Sequence, residues 1–447
     1  MADPDRIRGN WGISPVPPRM RVLSGLDMGL LWGNLGVSLL VIVAGALLVP
    51  ALSLPEALLA IGIGCVIGNL MLGTAGAIGA DARVPGMVLL RAPLGRRGSY
   101  LPTAANVVQG LGWSIFELLI IATAAAALSD ELFGFRAQWL WTIVFGAFAL
   151  VLALLGPIGF VRRFVRLVAI WAVPLALLYL TWWAVDGADL GALWDDSGEG
   201  GLSVWQGADV VVAITVSWTP YAADYTRFSK TRRGAFAGTG IGYLVPDAWM
   251  LSLGVLLVLS RDLSDPAALP AAVVAGGLAA ILALFALLAT ETDEAFANVY
   301  SAAVSLQNLA PRAPQPLLVV VVTIVATVGA LVVDLVSYQS FLLLLGSLFV
   351  PLFAVLLAHW LVSGRHYPAQ AIFEAPAWRP GLLGAWIAGF AFYQWLYPTG
   401  PTWWTSLVGR LDPPEWTIGA TVPSFLVAFA IAGGGAAVSR ARARDAT

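Results

Sequence analysis

The sequence predicts an all-α polytopic membrane protein with twelve transmembrane helices. Apolar residues fill 59% of its 447 positions and charged residues 11%, whereas soluble domains average roughly 45–50% and 25%. The lone cysteine, Cys65, excludes a disulfide scaffold, and a net charge of −2 excludes a nucleic-acid-binding surface. A bilayer core needs about 20 apolar residues per helix, so the chain divides into spans of that length.

Twelve segments satisfy this length. They cover residues 26–50, 57–78, 101–128, 139–160, 164–185, 209–224, 236–259, 273–302, 316–333, 341–362, 382–397 and 418–436. With these spans, 21 of the 24 Lys and Arg residues fall on the side of the two termini, and only Arg136, Arg261 and Arg410 fall on the other. Cytoplasmic loops are enriched in Lys and Arg, so we expect a multi-pass protein of the cell membrane with both termini in the cytoplasm.

Segments 1 and 6 carry helix-breaking and polar residues at mid-membrane depth. Segment 1 has Gly33, Asn34 and Gly36 there, and segment 6 has Ser217 and Trp218 followed by Pro220. The two segments lie five spans apart, and a repeat of five helices inserts with inverted topology. We therefore expect a tail over residues 1–25, repeats over 26–186 and 205–364, two more helices within 379–438, and a tail over 439–447. The alternative explanation for the helix-breaking residues in segments 1 and 6 is that Gly and Pro are frequent in membrane helices in general.

Segment 3 has a polar stripe on one face. Gln109, Trp113 and Glu117 are spaced at i, i+4 and i+8, so they share that face of a helix. An indole stacks on a planar heterocycle while an amide and a carboxylate bond to its polar edges, which predicts a substrate site. Trp218 of segment 6 is a second candidate stacking surface. The alternative is helix packing, with Trp113 in the core and Glu117 neutral or paired.

Segment 8 places carboxylates at membrane depth. Glu291, Asp293 and Glu294 follow Thr290, and three ionised carboxylates would repel one another in a low dielectric. A bound cation, protons or water must neutralise them, so we expect a cation-coupling site here. The alternative is a wet cytoplasmic vestibule. Asp247 of segment 7 is either a relay or a structural partner. No nucleophile motif or nucleotide-binding loop is present, so the chain is expected to be a transporter rather than an enzyme.

Three motifs resemble those of the nucleobase:cation symporter-1 family, the purine and cytosine permeases, with the cytosine and hydroxymethylpyrimidine branch most similar. They are residues 217–228 (SWTPYAADYTRF), 298–305 (NVYSAAVS) and 109–113. The resemblance covers the whole chain. It implies a leucine-transporter-like fold of five plus five inverted helices followed by two more, and a planar substrate stacked on Trp113 and held around Ser217 and Trp218.

The resemblance also implies how a cation is held. In sodium-coupled relatives, carbonyls at the helix 1 break and hydroxyls of helix 8 bind Na⁺, and Gly36 and Thr290 are the positions that match. Acidic residues occupy the positions where relatives often show Thr and Asn, which favours protons carried by Glu291 and Glu294. Asp224 and Arg227, at the cytoplasmic end of segment 6, are assigned to gating or to an ion pair.

These observations predict a monomeric secondary active transporter without cofactors that imports a nucleobase or related pyrimidine with H⁺ or Na⁺. Its partners are a nucleobase-like heterocycle and the lipid bilayer, with no nucleic acid. An amino-acid symporter on the same fold is the first alternative, although Glu117 would repel the substrate carboxylate. A membrane-embedded enzyme or a channel are the others. The identity of the base and of the ion stays open at this point.

Overall fold

The computed structural model describes residues 12–160, 170–261, 277–332 and 338–445, and the helices in these ranges occupy all twelve predicted segments. We number them by segment and letter the two halves of broken helices. They are α1a (Gly25–Leu35), α1b (Leu39–Ala46), α2 (Leu54–Ala82), α3 (Tyr100–Phe133), α4 (Gln138–Phe160), α5 (Ile170–Val185), α6a (Val204–Ser217), α6b (Thr219–Thr226), α7 (Arg232–Arg261), α8 (Leu278–Leu309), α9 (Gln315–Ala330), α10 (Tyr338–Val362), α11 (Pro380–Leu396) and α12 (Thr421–Asp445).

Membrane-spanning length and hydropathy are most evident in α2, α3, α4, α7 and α10. These five described helices are individually long and apolar enough to cross a bilayer, and α1a with α1b makes a sixth when the bent pair is counted as one span. Apolar helices too short to meet this test alone include Gln315–Ala330 and Thr421–Gly435. Short helices, such as Ala369–Phe373 and Thr402–Gly409, lie in the loops.

Helix 1 is broken where the sequence predicts it. Ser24 and Asp27 form a capping box that starts α1a, and the chain leaves helical geometry after Gly36. Ser38 then caps α1b by accepting a hydrogen bond from the Leu40 amide at 3.0 Å. The two halves differ in direction by 60°. Because Ser and Gly favour helix ends over interiors, this local sequence explains the break. Asp27 is 7% exposed and serves as the cap partner.

Helix 6 is interrupted at Trp218. Ser203 and Gln206 form the capping box that starts α6a, and Trp218 separates α6a from α6b. Pro220 lies in the first turn of α6b, where its missing N–H is tolerated. Helices 1 and 6 are therefore both divided near mid-membrane, as an inverted repeat requires.

The helices pack in two groups. Helices 1, 2, 6 and 7 form one group, the bundle, and helices 3, 4, 8 and 9 form the other, the scaffold. The packing is symmetric under the exchange of each helix with the one five positions away. The contact of α1a with α7 corresponds to that of α6a with α2, and the contact of α3 with α9 corresponds to that of α8 with α4. The contact pattern thus agrees with the predicted five-plus-five organisation, while the repeat boundaries stay a prediction.

Glycines allow α1a and α7 to approach at backbone distance. Gly25, Gly29 and Gly33 face Gly234, Gly238 and Gly242. A Cβ on Gly242 would lie 2.8 Å from the Gly29 Cα, and one on Gly25 would lie 3.2 Å from the Gly234 Cα. Membrane helices use such small-residue ladders because close packing replaces the hydrophobic driving force that lipid removes. The bundle side of the helix 1 break is consequently tightly packed.

Helix α8 extends beyond the predicted segment. The sequence predicts an end near residue 302, whereas the helix continues to Leu309. The last turns carry polar residues, which a hydropathy pattern assigns to a loop. Asn308 is an example of their structural role. Its side chain bonds to Arg91, Ser99 and Thr103, so it ties α8 to the start of α3.

Candidate substrate and cation site

The break in helix 1 is capped by a carboxylate from helix 8. Glu291, fully buried, accepts hydrogen bonds from the Ser38 hydroxyl at 2.8 Å and from the Leu39 amide at 2.9 and 3.0 Å. The Leu39 amide belongs to the first turn of α1b, where unpaired N–H groups and the helix dipole favour an anion. Glu291 therefore links the scaffold to the bundle at the predicted cation site.

Gln109 joins helix 3 to the break in helix 6. Its Nε2 donates to the Ser217 carbonyl at 2.7 Å and to the Asn106 Oδ1 at 3.2 Å, while its buried Oε1 has no hydrogen-bond partner among the described residues. Ser217 lies at the end of α6a, and its hydroxyl donates to the Ile214 carbonyl at 2.6 Å. The Gln109 amide thus keeps one acceptor free for a ligand.

Glu117 is the most unusual residue of the site. Its side chain is fully buried, no N–H or hydroxyl donor of the described residues reaches its carboxylate oxygens, and the carboxyl groups of Glu291 and Glu294 lie within hydrogen-bonding reach of it. Its electrostatic neighbours are Glu291 and Glu294, so it adds to the acidic group instead of balancing it. Burying a carboxylate without partners costs several kcal/mol. A ligand donor, a proton or a cation must offset that cost.

Trp113 lies one turn before Glu117 and is 7% exposed. Its ring packs edge-on against Phe341 and Tyr338, with ring centroids 5.5 and 5.9 Å apart. The indole Nε1 is buried, and the described part of the chain offers it no acceptor. Helix α10 therefore covers the indole, whose N–H stays available for a hydrogen bond.

Trp218, the other predicted stacking residue, belongs to a second aromatic cluster. Its ring meets Trp32 at 5.9 Å, Tyr221 at 6.0 Å and Tyr243 at 6.3 Å between centroids. These contacts join α1a, α6 and α7 within the bundle. Trp113 and Trp218 therefore lie in separate clusters, on the scaffold side and the bundle side respectively.

The remaining predicted positions on helix 1 differ in what they face. Asn34 is buried, and both its amide atoms lack partners in the part of the chain that the structure describes. Gly33 and Gly36 instead face helix 7. A Cβ on Gly33 would lie 3.3 Å from the Gly242 carbonyl oxygen, and one on Gly36 would lie 2.8 Å from the Pro246 ring. These two glycines permit close packing, whereas Asn34 keeps unused hydrogen-bonding capacity.

Helix 8 supplies two of its three predicted residues to the described site. Glu294 is 3% exposed, and its Oε1 has no hydrogen-bond partner among the side chains described. Thr290 lies in α8, but its side chain falls outside the described residues. Asn298 was not among the predicted site residues. Both its amide atoms are buried without described partners. It follows Glu291 and Glu294 at i+7 and i+4, a spacing that could have indicated it.

Asp247 holds helices of the bundle together. Its Oδ2 accepts hydrogen bonds from Thr215 at 2.9 Å, Asn69 at 3.4 Å and Cys65 at 3.5 Å. The donors come from α6a and α2, while Asp247 itself is on α7. Of the two sequence-based interpretations, relay or structural partner, these contacts favour the structural one.

The end of the site nearest the chain termini is closed by the predicted gating residues. Arg227 is fully buried and donates to the Gly12 carbonyl at 2.6 Å, the Tyr300 hydroxyl at 3.0 Å and the Asp224 backbone carbonyl at 3.2 Å. The Asp224 carboxylate accepts from the Gly86 amide at 2.9 Å. Each residue therefore anchors a different segment at the end of the protein that carries the termini.

The opposite end is closed by the start of helix 10. The Tyr338 hydroxyl donates to the Leu40 carbonyl of α1b at 2.9 Å, next to the ring contacts with Trp113. Between the two closures, the breaks of helices 1 and 6 face a set of buried polar atoms on helices 3 and 8. Broken helices that bring buried polar groups together in this way are typical of secondary transporters.

Comparisons with known proteins agree with this class. A family model described as "Permease for cytosine/purines, uracil, thiamine, allantoin" matches residues 15–374. The chain belongs to this family, the nucleobase:cation symporter-1 permeases, and is a transporter rather than an enzyme. The hydantoin permease of Microbacterium maritypicum is 23% identical over 320 residues, which are 67% of this chain and 64% of that protein. The match thus spans less than two thirds of the relative's length.

Solved structures confirm the fold. Mhp1, a nucleobase-cation-symport-1 family transporter in a closed conformation with bromovinylhydantoin bound, has a TM-score of 0.76 at 20% identity, over 95% of this chain and 94% of Mhp1. A Na⁺-coupled sialic acid symporter has a TM-score of 0.63 at 11% identity, over 97% and 95% of the two chains. The protein therefore has the predicted leucine-transporter-like fold.

Proposed function

We propose that this protein is a secondary active transporter that imports a nucleobase-like heterocycle together with a cation. The observation that carries the proposal is the set of buried polar groups without described partners on helices 1, 3 and 8. Its members are Asn34, the Gln109 Oε1, the Trp113 Nε1, Glu117, Glu294 and Asn298. Buried polar groups are normally satisfied, and a planar ligand with several donors and acceptors would satisfy most of these, while the coupled cation would satisfy Glu294.

The chemistry of the set favours a base with an amino group beside a ring nitrogen. When protonated, the Glu117 carboxyl offers one donor and one acceptor in a plane, and these match the ring nitrogen and the amino group of such a base. Gln109 and Asn298 add amide groups, which can both donate to and accept from the edge of a base that carries acceptors and donors. Cytosine, purine bases and hydroxymethylpyrimidine carry an amino group or an adjacent ring nitrogen. We place these above hydantoin, the compound named for the relatives.

Trp113 supplies the stacking surface in this proposal. Its indole lies one turn from Glu117 on the same face of α3, so a ring on the indole has its edge near the carboxylate. Trp218 then bounds the site from the bundle side. An offset stacking contact between aromatic rings contributes about 0.5–1.5 kcal/mol to the binding free energy, in addition to the effect of burying apolar area.

The occupied amide at the helix 1 break argues against an amino-acid substrate. An amino-acid carrier on this fold needs half-helix N–H groups for the substrate carboxylate. Here the Leu39 amide already bonds to Glu291, so the protein's own carboxylate fills that position. A substrate carboxylate would also meet the unbalanced charge of Glu117.

We infer that protons are the coupling ion. Glu117, Glu291 and Glu294 interact within one buried region, and carboxylates so placed cannot all be ionised. One coupled charge moving through 100 mV provides about 2.3 kcal/mol, enough for roughly 50-fold accumulation. Na⁺ held by helix 1 carbonyls near Gly36 and by Thr290 is the second candidate.

The substrate proposal is tested by thermal unfolding of the purified protein with a panel of cytosine, adenine, hydroxymethylpyrimidine, hydantoin and leucine. We expect stabilisation by at least one aminated base. Trp113→Ala should remove that stabilisation, whereas Trp403→Ala should keep it, because Trp403 is 70% exposed on a loop helix. Stabilisation by leucine alone would refute the proposal.

The coupling proposal is tested separately in proteoliposomes. Uptake of the stabilising base is measured with and without Na⁺ at a fixed pH gradient, and with and without the gradient at fixed Na⁺. We expect uptake to follow the gradient, and Glu294→Gln to lower that dependence while binding persists. Uptake that requires Na⁺ and does not depend on the pH gradient would contradict proton coupling. It would identify Na⁺ as the coupling ion, held by helix 1 carbonyls and the hydroxyl of Thr290 on helix 8.

A further inference from the structure

A cavity of about 280 Å³ lies at the loop between α2 and α3. The N-terminal segment is on the same side of the protein, because the Val16 amide donates to the Arg83 carbonyl at the start of this loop. The described lining residues come from this loop, the first turn of α3 and the loops after α8 and before α11; they are Arg91, Arg96, Arg97, Tyr100, Pro311 and Ala377. Three of these are arginines and none is Asp or Glu. None belongs to the proposed transport site.

Arg91 is the buried member of this lining. It is 7% exposed, and its Nε donates to the Asn308 Oδ1 at 2.6 Å while its Nη2 donates to the Asn308 carbonyl at 3.1 Å. The Phe373 ring lies against the guanidinium, with the Cζ 5.9 Å from the ring centroid. The Nη1 has no hydrogen-bond partner among the described residues. The guanidinium is therefore fixed in place and keeps donor capacity that α8 does not use.

The backbone that carries Arg96 and Arg97 is fixed by the loop before α11. The Arg96 amide donates to the Pro376 carbonyl at 2.9 Å, and the Arg97 amide donates to the Ala377 carbonyl at 2.8 Å. Gly95 permits this approach, because its φ is +90° and a Cβ there would lie 2.8 Å from both carbonyl oxygens. The two arginine side chains are exposed. A rigid backbone thus presents two mobile guanidinium groups beside the buried one.

The three guanidinium groups concentrate positive charge. In the part of the chain that the structure describes, none of them forms an ion pair with a carboxylate. Burial lowers the pKa of the Arg91 guanidinium, and the positive charge of Arg96 also lowers it. Like charges placed together cost free energy, and an anion between them offsets that cost. The planar fork of a guanidinium donates two parallel hydrogen bonds, which match the oxygens of a phosphate group.

We propose that this cavity binds a phosphate group, with Arg91 contacting it from the protein side and Arg96 and Arg97 from the solvent side. Two sources carry this chemistry, namely the headgroup of an anionic phospholipid and a soluble phosphate. Tyr100 begins α3 and is 38% exposed, and such aromatic residues lie at the level of lipid headgroups. The cavity is therefore within reach of both sources. The proposal is independent of which solute the protein carries.

The test measures thermal unfolding of the purified protein in detergent. Sodium phosphate is compared with sodium chloride at matched ionic strength, and phosphatidylglycerol is compared with phosphatidylcholine in mixed micelles. We expect phosphate or phosphatidylglycerol to stabilise the protein more than its comparison compound. Excess stabilisation by phosphate alone would identify a soluble ligand, excess stabilisation by phosphatidylglycerol alone would identify a lipid, and both together would identify a phosphate site open to either source.

Variants of the exposed arginines locate the effect. Arg96→Gln should raise the concentration of the stabilising compound needed for half-maximal effect about tenfold, which corresponds to the loss of one charge-assisted hydrogen bond. Arg233→Gln is the matched control, because Arg233 is also exposed, lies in the first turn of α7 and does not line the cavity. Both variants lose one positive charge, so a general effect of charge would be the same in each. Arg97→Gln carries the same expectation as Arg96→Gln and decides if that variant does not fold.

A measurement without ligand separates binding from a structural role. Because the charge of Arg96 opposes that of Arg91, Arg96→Gln should be at least as stable as the unaltered protein in phosphate-free buffer of low ionic strength. It should lose this advantage as the stabilising compound is added. Three results would each overturn the proposal: no excess stabilisation of the unaltered protein by either compound, equal ligand responses of Arg96→Gln and Arg233→Gln, or a loss of stability in Arg96→Gln that is the same with and without ligand.

Discussion

The glycine ladder between α1a and α7 allows a quantitative prediction for Gly242→Ala. The added Cβ would lie 2.8 Å from both the Cα and the carbonyl oxygen of Gly29. These are backbone atoms and cannot rotate away, and carbon atoms pack at about 3.5–4.0 Å, so α1a and α7 must separate by roughly 1 Å. Such overpacking costs about 1–3 kcal/mol, whereas Gly→Ala in a helix gains about 0.5–1 kcal/mol. We expect a net loss of about 1–2 kcal/mol.

The assay is the free energy of unfolding in mixed micelles, measured beside two other glycine variants. Gly62→Ala is the control, because a Cβ there meets nothing within 4 Å and only the helix-propensity gain applies. Gly33→Ala should fall between the two, since its Cβ would lie 3.3 Å from the Gly242 carbonyl oxygen. If Gly242→Ala and Gly62→Ala were equally stable, the inferred backbone contact between the two helices would be wrong.

Three further predictions concern the polar contacts. Glu291→Gln should lower the free energy of unfolding by about 1.5–3 kcal/mol, because it removes the charged acceptor of three hydrogen bonds at the helix 1 break. Asp81→Asn should cost about 1–2 kcal/mol in the same assay, since Asp81 accepts from the Trp360 indole near the end of α10 and from the buried Tyr367 amide in the loop after it, while its cationic partners are half exposed. Asp196→Asn, at an exposed position, should cost nothing measurable. Arg227→Gln should speed amide hydrogen exchange after Gly12 at least about tenfold, and unchanged exchange would exclude its role as an anchor.

The sequence predicts the helices and their interruptions well because these depend on local chemistry. Hydropathy locates each span, and Ser38 and Pro220 mark the restarts of helices 1 and 6. The end of α8 was predicted seven residues early, since hydropathy reports membrane burial and the polar turns up to Leu309 are buried in protein instead.

The sequence indicates which polar residues lie at membrane depth, but it does not indicate which of them contact one another. The sequence shows that Glu291 and Ser38 are polar residues at membrane depth, but their contact joins positions 253 residues apart. Nothing local indicates that a helix 8 carboxylate caps helix 1. The same holds for the ladder of α1a and α7, where the four-residue spacing is visible on each helix and the pairing is not. Such contacts follow from the packing of the whole fold.

The two closures of the site differ in kind, and the difference bears on the direction of transport. The end near the termini is held by a buried guanidinium, Arg227, that bonds to the Gly12 carbonyl and the Tyr300 hydroxyl. Within the described ranges, the contacts at the opposite end are a neutral hydrogen bond from Tyr338 to Leu40 and edge-on ring contacts. Charge-assisted hydrogen bonds are about twice as strong as neutral ones. Opening at helix 10 therefore breaks weaker contacts, which favours solute entry from the side opposite the termini, as the proposed import requires.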